Sequence, residues 1–293
     1  MTVVIVGQGP RSATICNDHA LTIIAGPCVL ENQGMAIEIA QELAQISDQL
    51  GVKIIFKASF DKANRTSSQS PRGIGLEAAL TIFEEIKKFT SLPITTDVHE
   101  CAQCAKVAPY IDLIQIPALL SRQTDLLIAA ANTGLPVNIK KGPFMAPEDM
   151  LHAIEKTHTQ KFRGVIITER GTSFGYNNLV VDMRSLSILK ETNAPVIFDA
   201  SHASQYPTAL GSSSGGDRRF TPILARAAVA VGIAGIFIET HPNPKNALSD
   251  SATQFPLNNL AQLIKQLISL DRLIKDSLVK ALLYKTPSDV TSF

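Results

Sequence analysis

The chain has 293 residues, 45% of them apolar and 18% charged, proportions that belong to a globular protein with a large core and not to a disordered one. A net charge of +1 leaves no global basic field to draw in nucleic acid or a membrane surface, so any positive potential must be local. No run approaches the roughly 18 apolar residues of a membrane span, Met1 to Gly7 is too short and uncharged for a signal peptide, and four cysteines do not make a disulfide framework, so a cytoplasmic protein is expected.

From the N-terminus onward, short β-branched runs alternate with longer amphipathic ones. Thr2 to Gly7 and Arg11 to Cys16 predict a small hairpin. Strands are predicted to start near Thr22, Val52, Ile94, Asp112, Val137, Gly164, Val196 and Gly235. Ala36, Ile39, Ala40, Leu43, Ile46 and Leu50 share one face at helical spacing. Helical patterns recur over Gly75 to Phe89, Cys101 to Val107, Gln123 to Asn132, Pro147 to Thr157, Met183 to Lys190, Pro222 to Val231 and Leu257 to Leu283. Strands and helices alternate with no linker or repeat, which predicts an α/β protein: one (β/α)8 TIM barrel over residues 1–293, with the short N-terminal β-hairpin closing its bottom. No GxGxxG follows the first strand and no GxxxxGKS occurs, which argues against a two-domain nucleotide-binding fold.

Chemistry in such a barrel gathers where the strands end. Those ends carry, in order, Cys28; Lys57 to Arg65; Asp97 and His99; Gln115; Lys140 and Lys141; Glu169 and Arg170; Asp199 and His202; Glu239 and His241. The densest stretch, Lys57 to Pro71, runs from a buried strand straight into Lys62 and Arg65, with Arg72 beyond, cations suited to phosphate or carboxylate groups. Lys57, Lys62, Lys140 and Arg170 can converge on one anion, and Arg65, Arg72 and Arg122 could hold a second. Cys28, His202, Glu239 and Asp250 mix soft and hard donors as a divalent metal site does, although a buried Cys, a core His and two rim carboxylates would look the same in sequence. Cys101 and Cys104 form a CxxC beside His99 with no second pair, and both are expected to pack in the core.

The blocks IAGPCVLEN (24–32), KASFDKANRTS (57–67), TDVHE (96–100), VNIKKGPFMAP (137–147), TERGTSFGYNNLVVDMRSL (168–186) and FDASHASQYP (198–207), with FIETHPNP and LSDSATQFPL near the end, resemble the 3-deoxy-D-manno-octulosonate 8-phosphate synthase family. The resemblance runs from about residue 20 to the end of the chain. It implies condensation of phosphoenolpyruvate with D-arabinose 5-phosphate and water for lipopolysaccharide biosynthesis. The sister enzyme, which makes 3-deoxy-D-arabino-heptulosonate 7-phosphate from erythrose 4-phosphate, is the alternative; the loop Lys62-Ala63-Asn64-Arg65-Thr66, in place of a KPR type, favours the pentose phosphate. Cys28, where metal-independent members carry Asn, and the Leu248-Ser249-Asp250-Ser251 loop resemble the metal-dependent branch. A divalent ion (Zn2+, Fe2+ or Mn2+) on Cys28, His202, Glu239 and Asp250 is therefore implied.

By the same resemblance, Lys140, Arg170 and the backbone near Ala118 bind the phosphoenolpyruvate phosphate, and Lys57, Ser59, Lys62 and Gln115 its carboxylate. Arg65 and Thr66 take the sugar phosphate, with Arg122 supplied by a neighbouring subunit, and Asn64 and Asp97 read the sugar hydroxyls. Lys62, His202 and Asp250 are the implied catalytic proton carriers. A homotetramer is implied, and Ser212 to Gly216 reads as a lid.

Overall fold

A computed structural model describes residues 2–209 and 214–276. Eight parallel strands, Thr22–Gly26, Lys53–Lys57, Ile94–Asp97, Leu113–Ile116, Val137–Lys140, Val165–Glu169, Val196–Asp199 and Gly235–His241, pair each with the next. The eighth also pairs with the first, Gly235 opposite Thr22, which closes the barrel. These strands are buried on both faces, which is why their sequences read as short apolar runs without strict alternation.

Among the described residues, eight α-helices alternate with the strands: Gln33–Leu50, Leu76–Thr90, Cys101–Val107, Thr124–Ala131, Met150–Glu155, Met183–Lys190, Thr221–Ala230 and Leu257–Lys275. The first is capped at both ends, by the Asn32 side chain accepting from the Met35 N–H and by Gly51 in the left-handed region at φ 63°. Within the third, Cys104 and Val107 are buried while Cys101 is exposed. The expectation that both cysteines pack therefore holds only for Cys104: residues 104 and 107 share the inner face, and Cys101, in the first turn, faces water. The predicted tail of the last helix, residues 277–283, lies outside the described residues. None of the described helices is long and apolar enough to cross a membrane.

Two apolar layers fix where a site can form. Ile23, Ile54, Phe56, Ile114 and Ile167 point outward into a core shared with the helices. Ile24, Ile55, Leu113, Ile166, Ile197 and Phe237 belong to an inner cluster that also contains Val4, Val6, Ala13 and Ile15 of the antiparallel hairpin Val4–Val6 with Ala13–Ile15. The hairpin thus plugs the bottom of the barrel, as the sequence predicts, and Ile5 and Thr14 alternate to the outside. With that end filled, polar residues collect at the opposite mouth. There, a side chain on Gly26 would place its Cβ only 2.0 Å from the Lys57 carbonyl oxygen, so the first two strands can end this close together only with glycine at that position.

Candidate active site

The Phe237 ring belongs to the inner apolar cluster, and directly over it lies the Lys140 ammonium, 3.6 Å from the ring centroid, with Lys57 at 5.6 Å. Both lysines end barrel strands and both are buried. Each is balanced by a carboxylate from another strand: Lys57 donates to Glu239 Oε1 at 2.6 Å and to the Cys28 carbonyl at 2.8 Å, and Lys140 donates to Asp199 Oδ2 at 2.5 Å. Burial pulls the Lys140 proton affinity down, although Asp199 and Glu239 oppose the shift. Burial would raise the Glu239 carboxyl, yet Lys57, His202 and Lys62 hold it down at about 2. These charges are locked into place by strand geometry before any ligand arrives, which is the preorganisation an anion site needs.

His202 opens a 3-10 turn after the seventh strand. Its Nδ1 contacts Asp199 Oδ2 at 2.7 Å and its backbone N–H donates to Asp199 Oδ1 at 2.9 Å. Its Nε2 lies 3.4 Å from Asp250 and 3.7 Å from Glu239. Burial lowers the imidazole's proton affinity, but Asp199 and Glu239 outweigh it and the net shift is upward.

One ligand atom each from Cys28, Glu239 and Asp250 lies within 4.8 Å of the others. The Cys28 sulfur is 3.4 Å from Asp250 Oδ2 and 3.0 Å from the Ser249 hydroxyl. His202 stands outside that trio but faces two of its members through Nε2. Glu239 Oε2 is buried with no hydrogen-bond partner, an arrangement that is costly unless something cationic fills it. Burial, then Asp250 and Glu239, push the Cys28 thiol well above its ordinary value, against the opposing pull of Lys62 and Lys57. A soft sulfur, two carboxylate oxygens and an imidazole fit a first-row divalent ion.

The mouth forms one cavity of about 360 Å³, a volume that suits small molecules. It brings together Lys57, Lys62, Asn64, Arg65, Thr66, Asp97, Gln115, Ala118, Lys140, Arg170, His202, Glu239 and Asp250. Lys62 lies between Glu239, Asp97, Asp250 and Cys28; burial works against its charge, but these neighbours prevail and strengthen its hold on the proton. Arg65 is braced by the carbonyls of Pro71 and Leu248, both at 2.9 Å.

Three predicted residues do not line the cavity. Cys28 is buried against Ser249 and Asp250, Ser59 is buried with an unpartnered hydroxyl, and Arg122 is exposed elsewhere on this chain's surface. Lys141 is fully buried and turned to structure, donating to the carbonyls of Gly142 and Met145 and to the Thr172 hydroxyl. Arg72 pairs with Asp61. Gly215–Gly216, at the end of the predicted lid, pairs with Gln205–Tyr206, while Ser212 and Ser213 lie outside the described residues.

The cavity also contains residues to which the sequence attached no role: His99, 3.3 Å from Asp97, and Gln205, between Arg170 and Asp250. His99 stands out in sequence only as a histidine at a strand end. Gln205 carries no signal, since its part depends on two partners 35 and 45 residues away.

A closed parallel barrel with buried cations and an acidic, thiol-containing cluster at its mouth defines a (β/α)8 enzyme acting on small anionic substrates. Residues 4–276 match the model of the DAHP synthetase I family. The chain is 55% identical over 260 residues, 88% of its own length and 91% of the relative's, to a 2-dehydro-3-deoxyphosphooctonate aldolase of Rhodopseudomonas palustris strain BisB5. It is 54% identical over 265 residues to the protein of that name from Nitrobacter winogradskyi, covering 90% and 92% of the two chains. A third protein of that name, from Bradyrhizobium diazoefficiens, is 54% identical over 261 residues, with 89% and 93% covered. The chain belongs to the DAHP synthetase I family.

Proposed function

We propose that this protein is a 3-deoxy-D-manno-octulosonate 8-phosphate synthase, joining C3 of phosphoenolpyruvate to the aldehyde carbon of D-arabinose 5-phosphate. Water supplies the oxygen added at C2, and the C2–O bond to phosphate breaks to release inorganic phosphate. The observation that carries this reading is five cations lining one cavity, Lys57, Lys62, Arg65, Lys140 and Arg170, because two polyanions must be held together against their repulsion. The names of the relatives agree with it.

Lys140 and Arg170 receive the phosphoenolpyruvate phosphate beside the Ala118 backbone, and Lys57, Lys62 and Gln115 its carboxylate. Ser59, two residues beyond Lys57, is buried with its hydroxyl unpartnered. Asn64 and Asp97 meet the sugar hydroxyls, and Arg65 and Thr66 its phosphate. Proton exchange at the tetrahedral centre falls to Lys62, His202 and Asp250. Asp199 fixes the His202 ring by holding Nδ1.

Cys28, His202, Glu239 and Asp250 would hold a divalent ion, zinc, ferrous iron or manganese, which as a Lewis acid would orient and polarise the aldehyde or the water. With His202 and Asp250 among the residues that would hold the ion, Lys62 would be left as the charged proton donor. A homotetramer in which Arg122 completes a neighbour's sugar-phosphate site is part of the proposal. The experiment is product analysis: one phosphate released per eight-carbon 2-keto acid phosphate formed supports the reaction, and consumption of neither substrate refutes it.

A further inference from the structure

Gln205 has no part in the chemistry assigned above, yet its side chain is fixed from both sides. It follows the His202–Ser204 turn on a short strand, Gln205–Tyr206, that pairs with Gly215–Gly216. Its Oε1 accepts from Arg170 Nη2 at 3.1 Å, and its Nε2 donates to Asp250 Oδ1 at 3.2 Å. Arginine has only donors and a carboxylate only acceptors, so a single orientation of the amide satisfies both partners. Holding Oδ1 in this way leaves Asp250 Oδ2 turned toward the Cys28 sulfur and His202 Nε2, each 3.4 Å away. Asp250 itself sits in the left-handed backbone region, at φ 48°.

We infer that Gln205 is a positioning residue that couples the phosphate subsite at Arg170 to the divalent-cation site at Cys28, Glu239 and Asp250. An anion that engages Arg170 Nη2 competes with Gln205 Oε1, frees the amide and changes how Asp250 is presented. By linkage, a cation on Asp250 alters anion affinity by the same factor. The inference rests on the function proposed above and adds to it a route between the two subsites.

The test uses the full-length protein with Co2+ and phosphoenolpyruvate as probes. Ligation of Co2+ by the Cys28 thiolate gives an absorption band that reports binding without turnover. In Gln205→Met, close in volume but without hydrogen bonds, Co2+ affinity is expected to fall about tenfold, the usual effect of losing a group that orients a metal ligand. The factor by which saturating phosphoenolpyruvate changes Co2+ affinity should differ from wild type by at least about fivefold, a coupling change at the low end of the range for linked sites. Arg170→Lys, which keeps the charge but removes the Nη2 donor, should weaken Co2+ binding in the absence of phosphoenolpyruvate. Thermal melting of both variants separates these effects from misfolding. Wild-type Co2+ affinity and an unchanged phosphoenolpyruvate factor in folded Gln205→Met would overturn the inference, as would wild-type Co2+ binding in Arg170→Lys. A wild-type protein that binds no phosphoenolpyruvate would instead remove the proposed function, and the inference with it.

Discussion

Replacing Asp199 by Asn tests whether the charges at the barrel mouth are held as buried pairs. The Asp199 carboxylate is fully buried and serves three donors: Lys140 Nζ, His202 Nδ1 and the His202 backbone. Asn keeps the shape but removes the charge, leaving Lys140 over the Phe237 ring without its hydrogen-bonded counter-ion. Breaking a buried pair from one side costs about 3–5 kcal/mol. The lower end, about 3 kcal/mol, is expected here, because burial already depresses Lys140 and the amine can shed its proton instead of staying charged. At about 2–4 °C per kcal/mol for a chain of this order of size, the melting temperature should fall by about 6–12 °C. The assay is a double-mutant cycle by thermal unfolding with Lys140→Met, which removes the stranded cation. Asp199→Asn should cost far less in that background, with a coupling of at least about 2 kcal/mol. A coupling below about 0.5 kcal/mol would refute the pairing.

Arg65→Ala should raise the KM for arabinose 5-phosphate with little effect on that for phosphoenolpyruvate; an unchanged sugar-phosphate KM in steady-state kinetics would contradict its assignment. A chelator should abolish activity, and Cys28→Asn should partly restore chelator-resistant turnover; full activity after metal removal verified by elemental analysis would sink the metal proposal. Burial lowers the His99 proton affinity, but the hydrogen bond and charge of Asp97 carry it above the usual histidine value, so protonated His99 stabilises the fold. That contribution is complete below about pH 6.5 and is lost as pH rises through the folded-state value. The melting-temperature gap between wild type and His99→Gln should therefore be widest near pH 6 and shrink toward alkaline pH, and a gap that widens instead would reverse the assignment.

The barrel was legible because burial on both faces writes itself locally: Ile23 to Ala25, Ile54 to Phe56 and Val165 to Ile167 are short apolar runs wherever they occur. The hairpin was legible for the same reason, with Val4, Val6, Ala13 and Ile15 at alternating positions turned toward the inner cluster. The cavity's membership followed from the strand-end rule, which placed Lys57, Gln115, Lys140 and Arg170 at one mouth. What sequence could not provide was adjacency around the ring. Lys140 and Asp199 meet only because the fifth and seventh strands flank the sixth in the closed sheet. Lys140 and Lys141 look equivalent in sequence, yet strand alternation sends one into the cavity and the other into the wall behind it. Gln205 was invisible because its role lies in two partners and not in its own chemistry.

The central claim is tested most directly by phosphate release from phosphoenolpyruvate with arabinose 5-phosphate or erythrose 4-phosphate as co-substrate. Because Asn64, Arg65 and Thr66 shape one wall of the cavity, kcat/KM for the pentose phosphate should exceed that for the tetrose phosphate by at least about a hundredfold, as expected of a site built to hydrogen-bond the extra hydroxyl. Equal rates, or a preference for erythrose 4-phosphate, would contradict it.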